Sequence, residues 1–442
     1  MAEARLTTAT ERSAAERVAG APAPTVALLP WGDVIEDFLD EIGLSFERFR
    51  DEMTGGWLFG YVEALARAGV RSVLVCVSAR AASIGRHIHR PTGAPLVVLS
   101  APAPFRVVRR ARGGRLARDV APYLATPPVA LARALRREAC TAVLCQEYEY
   151  PRFDACIAVG RALGVPVFAT FQGGSWQASR LERPIRPLTL RAARGLIIAS
   201  RVEAERVRAR YGVPPEKIAR IFNPLDLDLW WPDDRAAARA ELGIPPEARV
   251  AAWHGRVDVH TKGLDLLVDA WERICRERPE RDLRLLLVGT GADAPALRAL
   301  IAERGLRGVH WMDEYVLDRA AMRRWLSAAD VYTLPSRREG FPVAPIEAMA
   351  CGLPVVAADA SGVADVLEHG EADGGVVVPR EDADALAREL GRMLDDPARA
   401  AELGRRARAR AEGSFSLDAV GRALRDVLTG TRAPVASSGA GR

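Results

Sequence analysis

Two glutamates separated by seven residues lie in a segment whose pattern fits a phosphate-binding turn. The segment, SRREGFPVAPIEAMACGLP at residues 336–354, follows an apolar run of strand length and contains Glu339 and Glu347. Pro345 suits the first position of a short helix, and Ala344 before it is a poor cap. Uncapped amides at a helix start, aided by the helix dipole, favour a phosphate. Glu347 could merely favour that dipole, but Glu339 has no obvious structural duty.

A second segment supplies two cations at the end of another predicted strand. It reads HGRVDVHTKG at residues 254–263 and contains Arg256 and Lys262. Lysine occurs only at positions 217 and 262, among 62 basic residues, so a compact ammonium at Lys262 suggests a specific need. Cations held in place can stabilise negative charge that develops during a reaction. Taken alone, an arginine and a lysine six residues apart are usually surface charges.

Together these residues resemble the family 4 retaining glycosyltransferases of GT-B fold. The paired glutamates match that family's spacing, and the match continues through AMACGLPVV at residues 348–356. The resemblance implies that Glu339 contacts hydroxyls of the donor sugar and that Glu347 holds the ribose hydroxyls. It also implies that Arg256 and Lys262 clamp the donor diphosphate.

The resemblance extends to backbone groups and to the first half of the chain. Gly340, Phe341 and Val343 would offer backbone N–H groups to the sugar and phosphate. Gly55 and Gly56 precede a predicted helix at the place where the family carries a Gly-Gly pair facing the donor phosphates, and adjacent glycines allow such close approach. A Gly-Gly pair is also common in ordinary turns. The likeness covers roughly residues 24 to 428.

The reaction implied by this resemblance is transfer of a hexose-type sugar from a UDP- or GDP-linked donor to an acceptor hydroxyl, with retention at the anomeric carbon. The acceptor would be a saccharide, a lipid-linked compound or a small molecule. The departing phosphate would serve as the base, and neither a metal nor a cofactor would be needed. The product would be a polysaccharide, a glycolipid or another glycoconjugate.

Three features depart from the family pattern. Gln172 stands where many members carry a histidine near the transferred sugar, so it is a candidate acceptor or sugar contact. Asp313 and Glu314 replace a glycine that often follows the corresponding strand. Residues 33–53 form an acidic insert, for which an amphipathic surface helix is the favoured interpretation over a wall of the acceptor site.

Other functions stay open at this stage. A nucleotide-sugar-binding scaffold would keep the fold without the reaction, and a sugar phosphorylase could share it. A GTG triplet at residues 289–291 is a fragment of a dinucleotide fingerprint, which without its third glycine gives weak support to an NAD(P)-dependent oxidoreductase. Two Asp-x-Asp pairs, at residues 226–228 and 382–384, match a metal-binding pattern, but their predicted positions in a loop and before a late helix indicate chance matches.

The elements that must position these groups alternate between strand and helix. Buried-strand patterns occur at residues 26–29, 73–77, 142–145, 165–169 and 196–199, and again at 249–253, 283–288, 309–312, 331–334 and 354–358. Such alternation predicts an α/β protein with two Rossmann-like, doubly wound domains and a ligand cleft between them. We predict an N-terminal acceptor domain at 24–225 and a donor-nucleotide domain at 226–410. A last helix at 411–429 should pack back on the first domain, between disordered tails at 1–23 and 430–442.

The composition and charge of the chain limit which partners and which cellular location are expected. The chain has 442 residues, 49% of them hydrophobic, enough for two cores, and a net charge of +5. Arginines crowd residues 86–137; this region is either a solvated face or a peripheral contact with anionic lipid, and the absence of interleaved aromatic residues disfavours nucleic acid. No signal-peptide or membrane-spanning pattern occurs, and six dispersed cysteines fit buried thiols. We therefore expect a cytoplasmic protein.

Overall fold

The computed structural model describes residues 23–30, 32–41, 43–54, 56–110, 115–171, 181–314, 316, 318–339 and 341–430. The first half builds an eight-stranded sheet from β1 Thr25–Leu29, β2 Arg71–Ser78, β3 Gly85–Ile88, β4 Pro95–Ser100, β5 Ala142–Gln146, β6 Val167–Phe171, β7 Gly195–Ile198 and β8 Ile218–Ala219. The strand order is β3-β4-β2-β1-β5-β6-β7-β8. Only the pairing of β3 with β4 is antiparallel among these strands.

Helices cover this N-terminal sheet. They are α1 Ile35–Glu41, α2 Phe46–Asp51, α3 Gly56–Arg67, α4 Ala103–Arg110, α5 Arg115–Ala125, α6 Pro128–Arg137, α7 Pro151–Leu163, α8 Glu182–Ala192 and α9 Arg201–Tyr211, with a short 3-10 helix at Pro215–Lys217. Apolar side chains from the two faces of the sheet form two separate clusters, each closed by helices. The buried, apolar strands are therefore explained by coverage on both faces.

The second half builds a parallel six-stranded sheet with the order β11-β10-β9-β12-β13-β14. Its strands are β9 Arg249–His254, β10 Leu283–Val288, β11 Val309–Met312, β12 Val331–Leu334, β13 Val355–Ala358 and β14 Gly375–Val378. Its helices are α10 Arg235–Glu241, α11 Leu264–Glu277, α12 Ala294–Glu303, α13 Arg319–Ser327, α14 Ala344–Ala350, α15 Val363–Val366, α16 Ala383–Asp395 and α17 Pro397–Ser414, with a 3-10 helix at Gly370–Asp373.

Both sheets reverse their strand order next to their first strand, as doubly wound sheets do. The prediction of two such α/β domains is therefore confirmed. The helix after Gly263 buries one apolar stripe, because Leu264, Leu267, Trp271 and Ile274 of α11 are all buried. The predicted strand at 165 begins instead at Val167, and the strands β3, β4, β8 and β14 were not predicted.

The last helix, α18 Leu417–Thr429, lies on the N-terminal domain. It packs along α3, and its buried Leu417, Val420, Leu424 and Leu428 join the apolar cluster beneath that helix. Gly421 approaches α3 so closely that an added Cβ would lie 2.1 Å from the carbonyl oxygen of Ala64. The chain thus returns to its first domain after completing the second.

The acidic insert at 33–53 is not the surface helix that its composition favoured. It forms the two short helices α1 and α2, and Glu36 is buried with only 4% of its surface exposed. The Glu36 carboxylate accepts hydrogen bonds from the Ser78 hydroxyl and from the backbone N–H groups of Ala79 and Arg80, where β2 ends. Glu36 accepts hydrogen bonds from backbone N–H groups that have no strand partner after β2 ends, and this explains why its carboxylate is buried.

All six cysteines lie in the described part of the chain and are free thiols. Five are buried and Cys275 is half-buried. The two Asp-x-Asp pairs have structural partners: Asp226 and Asp228 contact Arg67, whereas Asp382 caps α16 and Asp384 pairs with Arg273.

Candidate active site

The loops that carry the predicted site residues follow two neighbouring strands. β9 pairs with β12 at the point where the C-terminal sheet reverses its order, so residues 255–263 and 335–339 leave the sheet at the same edge. The backbone N–H of Arg337 donates to the carbonyl of Thr261 at 2.9 Å, which ties the two loops together. This edge is where doubly wound sheets bind ligands.

Lys262 and Glu339 meet across these loops. The Lys262 Nζ donates to Glu339 Oε1 at 2.8 Å, and the Ser336 hydroxyl donates to the same oxygen at 2.6 Å. The Glu339 side chain is only 9% exposed, so its carboxylate is largely shielded from solvent. A cation and a hydroxyl both donate to it there. Gly263 permits the approach, because its φ is +63° and a Cβ there would lie 2.1 Å from the carbonyl oxygen of Pro335.

Arg256 lies on the same loop as Lys262 but is exposed. Both cations are near Asp258, whose pKa is held below its usual value mainly by the hydrogen bond from the Thr261 backbone and further by these two charges. The structure therefore places the two predicted cations on one loop, with Lys262 directed at Glu339 and Arg256 accessible to solvent.

Glu347 lies on α14 and points to the end of β9. Its Oε2 is 2.8 Å from His254 Nε2, and its Oε1 is 3.8 Å from Arg319 Nη1. The side chains of Glu347 and His254 are 13% and 10% exposed. No spacing in the sequence marks His254, because it is a single histidine at the end of a strand and belongs to no recognisable ligand motif.

The start of α14 differs from the sequence-based prediction. The helix begins at Ala344 with Val343 as its cap, so Pro345 occupies the second position and Glu347 the fourth. The amides of Ile346 and Glu347 both donate to the carbonyl of Val343 and are not open to a ligand. A phosphate at this helix start would therefore have to use earlier amides than the prediction assumed.

Phe341 belongs to an aromatic cluster that packs against the core of the C-terminal domain. Its ring stacks on Phe222 at 5.4 Å and meets Phe415 edge-on at 6.2 Å. Val343 is 38% exposed, and the Ser361 hydroxyl donates to the Glu339 carbonyl at 2.6 Å. The described residues of the loop after β12 are therefore held by contacts with Phe222, Phe415 and Ser361.

Three of the predicted site residues, Gly340, Gly55 and Gln172, lie outside the described residues. Gly56 is the first residue of α3. The roles expected for these four positions stay predictions.

The GTG triplet at 289–291 has a packing role beside the site. A Cβ on Gly289 would lie 1.8 Å from the carbonyl oxygen of Gly255, and one on Gly291 would lie 2.1 Å from that of Val257. The Val257 N–H also donates to the Thr290 carbonyl at 3.0 Å. These glycines let the loop after β10 pack against the cationic loop after β9.

The corresponding edge of the N-terminal sheet carries buried acids that no motif marks in the sequence. Burial is the main cause that raises the pKa of Asp33 to about 6 and those of Glu149 and Glu182 to about 7. Glu147, directly after β5, adopts the left-handed backbone conformation with φ +62°. Strained backbone and displaced pKa values often accompany functional sites, although structural ion-pair networks also shift pKa values.

Ion pairs also connect the two domains near this site. The backbone N–H of Arg201, at the start of α9, lies 3.1 and 3.2 Å from the two carboxylate oxygens of Asp365. Arg220 donates to the same carboxylate at 3.1 Å. Asp365 is 2% exposed, so it joins the domains in a largely desolvated contact.

Family models match both halves of the chain. The model for glycosyltransferase family 4 matches residues 58–229, and the model for glycosyl transferases group 1 matches residues 248–396. The chain belongs to glycosyltransferase family 4. The resemblance based on Glu339, Glu347, Arg256 and Lys262 is therefore confirmed at the level of the family.

Curated relatives of this family 4 chain include D-inositol 3-phosphate glycosyltransferases. The protein from Thermobispora bispora is 33% identical over 241 residues, which cover 53% of this chain and 55% of that protein. The protein from Kineococcus radiotolerans is 36% identical over 236 residues, covering 50% and 54%. The chain thus matches about half the length of these relatives.

Solved structures share the whole fold. Sucrose-phosphate synthase from Thermosynechococcus elongatus is 23% identical with a TM-score of 0.65, and the match covers 92% of this chain and 99% of that one. HepE from Anabaena, solved in complex with UDP, is 17% identical with a TM-score of 0.67, covering 92% and 100%. These likenesses confirm the predicted GT-B architecture.

Neither a metal-ligand cluster nor a membrane-spanning helix occurs among the residues that the structure describes. No group of three or more His, Cys, Asp or Glu side chains there is placed to hold a metal ion. Within the same residues, no helix has the length and apolar character needed to cross a membrane.

Proposed function

We propose that this family 4 protein is a retaining glycosyltransferase that moves a hexose-type sugar from a UDP- or GDP-linked donor to an acceptor hydroxyl. The product would be a polysaccharide, a glycolipid or another glycoconjugate. The observation that carries the proposal is the contact of Lys262 with Glu339 at the edge shared by β9 and β12, beside the contact of His254 with Glu347.

The arrangement suits a nucleotide sugar because it offers both signs of charge to one ligand. Arg256 is exposed to a diphosphate, and Lys262 would exchange its contact with Glu339 for one with the diphosphate. Carboxylate oxygens of Glu339 and Glu347 would accept from hydroxyl groups of the ligand. Carboxylates that accept from hydroxyls give short, charge-assisted hydrogen bonds. The UDP found in HepE, a protein of the same fold, supports a uridine donor, and GDP remains an alternative.

In the proposed reaction, the bond from the anomeric carbon to the diphosphate oxygen breaks and the acceptor oxygen bonds to that carbon on the same face. The acceptor proton passes to the departing phosphate. Arg256 and Lys262 stabilise the negative charge gained by the diphosphate, and Glu339 orients the sugar. We propose that neither a cofactor nor a metal takes part and that the N-terminal domain holds the acceptor.

Donor binding and turnover test this proposal separately. Calorimetry with UDP, GDP and ADP should give measurable binding for one of the first two, and incubation with the corresponding UDP- or GDP-sugars should release nucleotide diphosphate slowly without acceptor. Binding without any release would favour the scaffold, whereas binding of NAD(P) alone would favour the oxidoreductase. A protein that bound no nucleotide diphosphate would refute the proposal.

We also propose that the arginine-rich region at 86–137 meets anionic lipid at the cytoplasmic face of a membrane. Its helix α6 exposes Arg133, Arg136 and Arg137 together with Val129, which is 61% exposed. Exposed cations beside an apolar side chain suit an anionic surface. The protein should sediment with vesicles that contain 30% phosphatidylserine at low salt and should not sediment with phosphatidylcholine alone. Equal recovery with both would contradict this contact.

A further inference from the structure

His254 is held in place by its strand and by a neighbouring tyrosine. It is the last residue of β9, and its carbonyl accepts a hydrogen bond from the Tyr332 hydroxyl at 3.3 Å. The two rings also meet edge-on, with centroids 5.4 Å apart. Tyr332 is completely buried, so the imidazole rests against a rigid part of the core.

The free edge of this imidazole is directed at Glu347. A carboxylate can only accept, so the 2.8 Å contact requires a proton on His254 Nε2. The other ring nitrogen, Nδ1, is buried and has no hydrogen-bond partner among the described residues. The contact with Glu347 is therefore the hydrogen bond that this side chain makes in the free protein.

The contact occupies one oxygen of Glu347 and leaves the other available. Oε1 has Arg319 Nη1 at 3.8 Å, which is too long for a hydrogen bond. A glutamate on a helix otherwise rotates about three bonds, and each side chain that becomes fixed on binding lowers affinity. His254 removes this loss by fixing Glu347 before the ligand arrives.

We propose that His254 is a positioning residue, whose Nε2–H fixes Glu347 so that Oε1 accepts a hydrogen bond from a ribose hydroxyl of the donor nucleotide. This inference rests on the proposed function, because it takes the ligand of Glu347 to be a nucleotide. It assigns to His254 a role in nucleotide recognition and none in the bond-making step. Its loss should therefore change KM more than kcat.

Deoxynucleotides separate this role from a general structural one. Wild-type protein should bind UDP or GDP more tightly than the 2′-deoxy or the 3′-deoxy analogue by about tenfold or more, as expected for a hydrogen bond to a charged group. In His254→Ala the ribonucleotide should bind about 3- to 10-fold more weakly. In the same variant the ratio of the affinities for the ribonucleotide and the deoxynucleotide should fall toward one, because Glu347 is no longer held facing the ribose hydroxyl.

Two amide substitutions and one distant histidine provide matched controls. The amide nitrogen of His254→Gln lies where Nε2 lies and should restore most of the ratio, whereas His254→Asn carries its nitrogen nearer the backbone and should not. His369→Ala, at a histidine whose side chain is 64% exposed, should leave the ratio unchanged. Melting temperatures identify any variant that fails to fold. If His254→Ala does not fold, the affinity ratio of His254→Gln decides whether the positioning role is correct.

The outcomes distinguish this inference from the proposed function. If wild-type protein binds a nucleotide diphosphate and His254→Ala keeps the full ribo-to-deoxy ratio, the positioning role is wrong and the proposed function stands. The same conclusion follows if the glutamine and asparagine variants behave alike. If wild-type protein binds no nucleotide diphosphate, both are wrong.

Discussion

Lys262 and Glu339 are 77 residues apart in the chain, yet the ammonium nitrogen lies 2.8 Å from a carboxylate oxygen. In the free protein each charge already neutralises the other. A donor that uses Lys262 for its diphosphate and Glu339 for its sugar must therefore draw the two side chains apart or bridge them. Because of this competition, we expect substitutions of Lys262 and of Glu339 to have different effects on nucleotide binding and on turnover.

Replacing Lys262 should impair the chemical step. Lys262→Met keeps the length of the side chain and removes its charge, so the departing diphosphate loses one stabilising cation. We expect turnover to fall by about 100- to 1,000-fold, as for loss of one preorganised donor. Steady-state release of nucleotide diphosphate measures it. Lys217→Met changes the other lysine, which contacts the carbonyls of Arg191 and Ala193, and should retain turnover.

Replacing Glu339 should have opposite effects on binding and on turnover. Glu339→Gln keeps the shape but frees Lys262 from its partner, so bare nucleotide diphosphate should bind about 2- to 10-fold more tightly, since net charge near the phosphates becomes more positive. The sugar loses its charged acceptor, so turnover should fall by at least about tenfold. Calorimetry with UDP or GDP and the release assay measure the two effects. Weaker diphosphate binding would contradict the competition between Glu339 and the ligand.

The contact of α18 with α3 can be tested with two helical glycines. Gly421→Ala places a methyl group against the backbone of Ala64 and should destabilise the protein by about 1 to 3 kcal/mol, since overpacking a close contact forces backbone shifts. Gly413, in α17, has open space around it, so Gly413→Ala should stabilise by about 0.5 to 1 kcal/mol. Urea unfolding measures both changes. Equal effects would show that the tight approach of α18 is not needed for stability.

The buried acids of the N-terminal sheet should make stability depend on pH. Glu149 and Glu182 titrate near pH 7 when folded and near 4.5 when unfolded, because burial raises their pKa values. Between these values the folded state binds more protons, so the free energy of unfolding should fall as pH rises from about 5 to 8. The double variant Glu149→Gln with Glu182→Gln should flatten this fall by about 1 to 3 kcal/mol.

Urea unfolding at pH 5, 6, 7 and 8 measures that slope. Glu402→Gln is a suitable control, because this acid pairs with Arg405 and Arg406, and hydrogen bonds from these arginines lower its pKa from its ordinary value, away from the tested range. A double variant with the slope of the wild type would show that these two carboxyls do not titrate between pH 5 and 8.

The sequence by itself determined the alternation of strands and helices, the two-domain GT-B architecture and the family. The alternation follows from local patterns, namely the apolar runs in β9 and β10 and the stripe along α11, whereas the GT-B architecture and the family follow from the resemblance carried by the spacing of Glu339 and Glu347. Such patterns are readable because the repeat of each element is short and its burial is strong.

Only the tertiary structure decided which distant side chains meet. The pairing of Glu347 with His254 and the burial of Glu36 depend on how strands are ordered in the sheets and how their loops pack. The acidic composition of the region before α3 does not show that the Glu36 carboxylate accepts hydrogen bonds from the residues at the end of β2. Contacts between residues far apart in the chain leave no repeat in the sequence, because the packing of whole elements sets them.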